Sequence, residues 1–562
     1  MNKIRQGLIL TVLLLLGTAV IGRLFFVQVI KHDYYLAMAK GQQKFFSSVS
    51  GERGEIFFEN GDKLATNQIQ KFVYIAPLEI KDKEQTAAML SQILNLKKDA
   101  IEKELSQETF YEVLKTGLTI KEVERIEQLA ASLPGVYLGQ EEVRFFPQGE
   151  TASQTIGFVD SDKVGQYGLE SYYQDILAGK EGIYEGEKGA KGFLLSFSTP
   201  EKPENGSNLV LTIDRQIQYE SEKLLSQYQE TLKFKSGTII VVKPQTGEIV
   251  ALANWPSFDP NTYEKEKDMA VFQNPATQKL FEPGSVFKPI TMAAALEEKK
   301  ITPQTTYIDE GVVYIGKIPI YNYDNRKYGE RTMTEVLERS INTGAVFAEQ
   351  QLGSNLFLEY LEKFKLFEKT GIDLQSEAFS QNKEFKKGYE INFATASFGQ
   401  GIEITPIQLV RAFCAIANGG KLVKPYLVKE IIDENGQKQK IVPEFSESII
   451  SSETSYKVAS MMTNVIENGF SKKAKIPGYF IAGKTGTAQV AWSALDINKS
   501  GYSDETVQSF IGFAPAFNPK FLILVKLDNP QVSTAEYSAM PIFRDLAEYI
   551  IDSWQIPPDY QP

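Results

Sequence analysis

The stretch Phe281-Glu282-Pro283-Gly284-Ser285-Val286-Phe287-Lys288-Pro289-Ile290 constrains the fold of this chain more than any other. Pro283-Gly284 marks a turn. The apolar run that follows, Ile290, Met292, Ala293, Ala294, Ala295 and Leu296, reads as a helix. If that helix starts near Ser285, Ser285 and Lys288 lie at i and i+3 on one face. Pro289 fits there, because first-turn N–H groups have no partner inside a helix. A hydroxyl beside an amine at a helix N-terminus is a nucleophile with a base alongside. The pattern alone is not diagnostic. Ser380-Gln381-Asn382-Lys383 repeats it, in a polar stretch with no apolar helix behind it.

Two scarcities narrow the chemistry. The only histidine is His32, which follows an N-terminal apolar run. A Ser-His-Asp triad and a His-Glu-x-x-His zinc site are both excluded on that ground. Serine chemistry here would need another base, and lysine is the candidate. The only cysteine, Cys414, lies in the apolar segment Arg411–Ile416 and reads as a buried structural thiol, so no intrachain disulfide can form. With 562 residues the chain is long enough for two or three domains. Its net charge of −11 argues against nucleic acid as a main partner.

In chain order, Lys3 and Arg5 precede an apolar run from Gly7 to Gly22, extended past Arg23 by Leu24, Phe25, Phe26, Val27, Val29 and Ile30. Gly7 to Val27 reaches the roughly 20 residues a membrane span needs, if Arg23 snorkels to the interface. The basic residues before it place the N-terminus in the cytoplasm. A cleaved signal peptide, with a small-residue site at Gly17-Thr18-Ala19, is the competing reading. The apolar run continues beyond that site, which favours an uncleaved anchor. Residues from about Ser50 to Gly206 form a mixed region: a strand pair around the Asn60-Gly61 turn, helices between Thr86 and Leu133, and a linker over Ser198–Ser207. Next come a β-hairpin, Thr238–Val242 with Glu248–Leu252, and a helix-rich middle from Ser285 to Asn418. Strands are expected over Tyr479–Val490, Ser509–Ala514 and Phe521–Leu527, and a closing amphipathic helix over Pro541–Trp554. That order suggests one sheet with helices packed on it.

Two further motifs complete a constellation. Ser340-Ile341-Asn342 falls in a break between two helical stretches, where side chains can face a cleft. Lys484-Thr485-Gly486-Thr487 sits inside the strand expected over Tyr479–Val490. The similar Lys115-Thr116-Gly117 and Lys369-Thr370-Gly371 lack that strand context. Gly486 carries no side chain, so a substrate backbone could approach closely. In this order, Ser-x-x-Lys, Ser-x-Asn and Lys-Thr-Gly are far more specific than any one of them.

With these motifs the chain resembles the class B penicillin-binding proteins, the peptidoglycan D,D-transpeptidases, over nearly its whole length. Arg53-Gly54-Glu55-Ile56, Arg144-Phe145-Phe146-Pro147, Gly168-Leu169-Glu170, Leu211-Thr212-Ile213-Asp214, Ser257-Phe258-Asp259-Pro260-Asn261 and Gly399-Gln400-Gly401 add to the likeness. Phe281–Ser285 is closest to the septal, cell-division branch. The resemblance implies an α+β fold in three parts. These are a cytoplasmic tail and transmembrane anchor over 1–30, a mixed α/β pedestal over 31–200, and a transpeptidase domain over 201–562. The last would hold a five-stranded antiparallel sheet sandwiched by helices, as in serine β-lactamases. It also implies residue roles: Ser285 as nucleophile, Lys288 as base, Ser340 as proton relay, and Asn342 holding Lys288 and the substrate. Lys484, Thr485, Gly486 and Thr487 would bind the substrate carboxylate and backbone, with the N–H groups of Ser285 and Thr487 as oxyanion hole. Expected partners are stem peptides ending in D-Ala-D-Ala, amine acceptors, β-lactams, the cell membrane, a membrane glycosyltransferase of the shape, elongation, division and sporulation group, and other division proteins. No cofactor or metal is implied. An elongation role, a carboxypeptidase or β-lactamase, and a β-lactam sensor or scaffold without turnover remain open alternatives at this point.

Overall fold

Ile239 and Val241 bury their side chains in one apolar cluster, and Ile240 and Val242 in another. A strand apolar at every position must be covered on both faces, and this one lies inside a five-stranded sheet. The computed structural model describes residues 2–31, 44–130, 133–188, 194–383 and 385–561. His32 lies outside the described residues. The chain forms two compact units, Met1–Gly54 with Ala178–Ser207, and Glu55–Leu177 with Asn208–Pro562.

The elements that position the site belong to the second unit. In chain order they are α1 (Arg215–Leu232), β1 (Ser236–Val242), β2 (Ile249–Trp255), α2 (Lys288–Glu297), α3 (Met333–Glu338), α4 (Asn342–Leu352), α5 (Pro406–Ala417), α6 (Ser452–Glu467), β3 (Ala482–Ala491), β4 (Tyr502–Ala514), β5 (Phe521–Asp528) and α7 (Ala539–Ser553). The sheet runs β2-β1-β5-β4-β3, and every neighbouring pair is antiparallel. One face packs on α1 and α7 through Ile217, Leu225, Phe543 and Leu546. The other packs on α2, α5 and α6 through Ile290, Met292, Phe413 and Met462. The sandwiched antiparallel sheet is the expected one.

A second, seven-stranded sheet lies in the same unit. Its strands include Ile56–Phe57, Lys63–Ile75, Val136–Phe145, Asn208–Leu211 and Val428–Ile432. The Asn60-Gly61 turn joins the first two as predicted, with Gly61 at φ +88°. Helices Lys83–Leu94, Lys98–Leu105 and Ile120–Ala130 cover one face through Leu90, Ile101 and Ile126. Motif residues of this region hold one another. Arg144 Nε donates to Glu170 Oε1 at 2.7 Å, with both side chains buried, and Asn261 exchanges two hydrogen bonds with the Phe146 backbone.

In the first unit, Asn2–Phe25 is α-helical and Phe26–Ile30 forms a π turn. Among the described residues no helix is long and apolar enough to cross a membrane. Lys44–Ser50, Glu181–Lys188 and Leu194–Glu201 make a three-stranded antiparallel sheet. The linker expected over Ser198–Ser207 is therefore corrected: its first four residues end a strand. Pro200 is tolerated because this strand lies at the sheet edge, where a missing N–H breaks no ladder.

Candidate active site

The nucleophile turn depends on two glycines. Gly284 has φ +62° and opens a single 3-10 turn, Gly284–Phe287, that runs into α2. Its N–H donates to the Gly399 carbonyl at 2.9 Å. Gly399 has φ +81°, and a Cβ there would collide with the Gly284 backbone. This turn places the Ser285 hydroxyl at a cleft wall and the Lys288 amine behind it, 3.0 Å from Ser285 Oγ.

Lys288 is fully buried. Its Nζ also lies 2.6 Å from the Ser340 carbonyl, 2.8 Å from Asn342 Oδ1 and 3.2 Å from Ser340 Oγ. No carboxylate is among these partners. Burial, and then the Lys484 ammonium, hold this amine well below the ordinary lysine value. A neutral amine has two N–H donors and one lone pair. The Ser340 carbonyl and Asn342 Oδ1 can take both donors, which leaves the lone pair for the Ser285 proton.

The Ser340 loop follows α3, whose start is set by a capping box between Thr332 and Glu335. Ser340 itself is left-handed, at φ +55°. A non-glycine residue there costs of order 1 kcal/mol or more, and such strain concentrates at functional sites. The conformation lets both the carbonyl and the hydroxyl of Ser340 reach the buried amines. Asn342 opens α4, and its Nδ2 donates to the Tyr321 carbonyl at 3.0 Å.

Lys484 comes from β3, the sheet's edge strand, and is 1% exposed. Its Nζ donates to Ser340 Oγ at 3.0 Å and to the Thr485 carbonyl at 3.0 Å. Burial pushes this amine down to about 7, while the Glu536 carboxylate pulls it back up. The Ser340 hydroxyl thus stands between two buried amines.

Ser285, Ser340, Asn342, Thr485 and Thr487 line one cleft of about 1050 Å³. Lys288 and Lys484 lie beneath its wall. Gly486 is different: a Cβ there would press on the Pro283 carbonyl, Val286 and Ser509 Oγ. The missing side chain lets the nucleophile turn pack against β3, a reason internal to the chain that sequence reasoning did not supply. The look-alike motifs stay apart from the cleft. Ser380 Oγ accepts from the Asn382 N–H, Lys115 pairs with Glu122 at 2.6 Å, and Thr370 donates to Glu377 at 2.6 Å.

Sequence reasoning missed other cleft residues. Arg326, Arg339 and Glu536 face it, and Glu536 is the one acid among the described lining residues. They sit at helix ends and in short 3-10 turns that no motif marks. Among the described residues, no cluster of histidine, cysteine or acidic side chains is arranged to hold a metal. Cys414 is buried, which pushes its thiol up and leaves it inert, as expected.

Residues 237–548 match the penicillin binding protein transpeptidase domain family. The chain belongs to the penicillin-binding proteins. Residues 48–211 match the family's dimerisation domain, the pairing expected of class B members. Stage V sporulation protein D of Bacillus subtilis is 32% identical over 516 residues, covering 91% of this chain and 79% of its own. The peptidoglycan D,D-transpeptidase FtsI homolog of Mesostigma viride is 31% identical, covering 96% and 94%. A crystal structure of penicillin binding protein 3 from Mycobacterium tuberculosis, complexed with aztreonam, shares the fold with a TM-score of 0.71 at 24% identity, over 92% of this chain and 98% of that one.

Proposed function

We propose that this penicillin-binding protein is a peptidoglycan D,D-transpeptidase that cross-links stem peptides through an acyl-enzyme on Ser285. The observation that carries the reading is the Lys288 amine: buried, without a carboxylate partner, held well below its ordinary value and 3.0 Å from Ser285 Oγ. Lys288 takes the Ser285 proton as Oγ bonds to the carbonyl carbon between the two D-alanines. The C–N bond then breaks and the departing D-alanine amine receives the proton, with Ser340 as relay. An amine from a second stem peptide next forms the new C–N bond, the Oγ–C bond breaks, and Ser285 regains its proton. Asn342 holds Lys288 and the donor backbone. Lys484, Thr485 and Thr487 bind the donor carboxylate, with the Gly486 backbone alongside. The N–H groups of Ser285 and Thr487 form the oxyanion hole, where one donor is typically worth about 10²–10³ in rate. The donor strand adds to the edge of β3. β-Lactams, as mimics of the terminal dipeptide, acylate the same serine.

The septal assignment rests on the names of the sporulation and FtsI-type relatives. The proposed layout is an anchor over 1–30, a pedestal over 31–200 and the catalytic domain over 201–562, the last outside the cytoplasm. The anchor and the segment after it are the contact for a membrane glycosyltransferase. The test is labelling with a fluorescent penicillin, mapping of the modified peptide, and then a donor peptide with and without an amine acceptor. Ser285→Ala should abolish labelling and Ser380→Ala should not. Labelling that survives in Ser285→Ala, or a donor that is only ever hydrolysed, sinks the assignment.

A further inference from the structure

The Asn342 amide has two ends, and only one orientation suits Lys288. As placed, Oδ1 faces the Lys288 amine at 2.8 Å and Nδ2 donates to the Tyr321 carbonyl at 3.0 Å. Turned over, the amide would set N–H against N–H on one side and oxygen against oxygen on the other. Its orientation is therefore only as firm as the Tyr321 carbonyl. Tyr321 ends the strand Ile318–Tyr321, part of a small hairpin that buries Ile320 against Ala345 and Val346 of α4 and turns Tyr314, Ile318 and Tyr321 to solvent, with Tyr321 50% exposed. Ile320 seats the strand on α4, and the Asn322 N–H of the same peptide donates to the Gly311 carbonyl at 3.2 Å, but neither contact ties the Tyr321 carbonyl to the start of α4, where Asn342 lies.

The side chain of the next residue makes that tie. Asn322 is buried, and its Nδ2 donates to both oxygens of Asp309, at 2.9 and 3.0 Å, and to the Arg326 carbonyl at 3.0 Å. Its Oδ1 accepts from the Thr343 N–H at 3.1 Å. Asp309 is fully buried, and among the described residues it forms no ion pair, so its oxygens are met by hydrogen-bond donors. They are Gly311 N at 3.0 Å, Tyr328 N at 2.8 Å, Asn322 Nδ2 and Thr343 Oγ1 at 2.6 Å. The Thr343 hydroxyl has one hydrogen, and the 2.6 Å contact gives it to the carboxylate. The Tyr307 hydroxyl, 3.2 Å away, must then donate to Thr343. Burying a lone carboxylate is costly unless every lone pair is met, which makes such a network rigid once satisfied.

We propose that Asp309 is a positioning residue: through Asn322 and Thr343 it clamps the Tyr321 carbonyl to α4 and so fixes which end of the Asn342 amide faces Lys288. Asn322 follows Tyr321, and Thr343 follows Asn342. Each end of the orienting hydrogen bond is one residue from the carboxylate. The clamp rests on the role given to Asn342 above.

The experiment is a double-mutant cycle on the second-order rate of penicillin acylation, using the full chain. Asp309→Asn keeps the shape but offers an N–H where donors already point. Alone it should slow acylation by roughly ten- to a hundredfold, the scale of a small misplacement at a reacting centre. In an Asn342→Ala background it should change the rate by no more than about twofold, because coupled residues are not additive. A clamp acting only on stability would cost the same factor in both backgrounds, and that result overturns the proposal, as does wild-type acylation by Asp309→Asn. Wild-type acylation by Asn342→Ala would overturn the role of Asn342, and the clamp with it. If Asp309→Asn fails to fold, Thr343→Val takes its place in the cycle. It removes the 2.6 Å hydrogen bond at nearly constant volume and should slow acylation, and Thr343→Ser should restore most of the rate. Equal rates for those two variants would overturn the clamp.

Discussion

Two buried amines share one serine hydroxyl at this site, and their proposed roles need opposite protonation states. Lys288, as base, must be neutral to take a proton. Lys484, as the partner of a carboxylate, must be charged. Acylation should therefore rise with pH as Lys288 loses its proton, and fall as Lys484 loses its own near pH 7. Arginine keeps its proton throughout this range. Lys484→Arg should acylate more slowly at its best pH but should lose the falling limb. Lys288→Arg should barely acylate at any pH. The Glu282 carboxyl, beside the nucleophile turn, is also pushed up to about 7 by burial, so Glu282→Gln serves as the control that should keep the limb. Acylation rates from pH 5 to 10 check this, and an unchanged falling limb in Lys484→Arg would show that another group sets it. The side chains in this argument were legible in the sequence, because Ser285 with Lys288, and Ser340 with Asn342, are close in the chain. The Tyr321 carbonyl and the Asp309 carboxylate were not. A backbone oxygen has no letter of its own, and Asp309 meets Thr343 only after the hairpins fold.

At the scale of elements, apolar runs were the readable signal. β1, β2, β3 and β5 were found nearly at their observed bounds, because both faces of the sheet are buried. β4 was placed to start at Ser509 but begins at Tyr502. Its first half, Tyr502-Ser503-Asp504-Glu505-Thr506, is polar, and only pairing with β3 reveals it as strand. The hairpins Thr306–Asp309 with Gly329–Thr332 and Val312–Ile315 with Ile318–Tyr321 interrupt the expected helical middle. Four-residue strands with half-exposed side chains carry too little pattern to be seen. The nucleophile turn and β3 are fitted together by glycines, which gives a prediction of its own. Gly399→Ala adds a Cβ against the Gly284 backbone at φ +81°, where neither space nor conformation allows it. It should cost about 1–3 kcal/mol in stability from strain alone. Because the Ser285 turn must shift, acylation should fall by more than that loss explains. Gly353→Ala, also left-handed at φ +87° but with open space around it, isolates the strain. It should lower the melting temperature with little effect on labelling, and equal labelling in the two variants would show that the Gly284–Gly399 contact does not hold the nucleophile.

For the whole molecule, the place where it works decides what its cleft can meet. A net charge of −11 keeps a large domain soluble and gives no affinity for an anionic surface. The proposed anchor is the helix Asn2–Phe25. Leu13, Leu14, Leu15 and Leu16 lie on successive sides of it, and each is more than half exposed. Exposed apolar side chains on successive sides of a turn are what the proposed anchor requires. Arg23 near the far end can reach the interface with its long side chain, and the Arg23 guanidinium stacks over Phe26 at 5.6 Å. In the proposed topology Lys3 and Arg5 keep the N-terminus inside, which would hold the cleft outside the cytoplasm. The chain purified from cells should therefore begin at its own N-terminus, stay with membranes through an alkaline wash, and come off with detergent. Protease added outside spheroplasts should digest the catalytic domain and spare the first few residues. Replacing Leu13, Leu15 and Val20 together by Asp should release the protein in soluble form with its penicillin labelling intact, because the site lies wholly within the second unit. A mature chain that begins near Val20 and washes free would instead mean that the apolar run is a cleaved export signal, and the tether would have to be sought elsewhere.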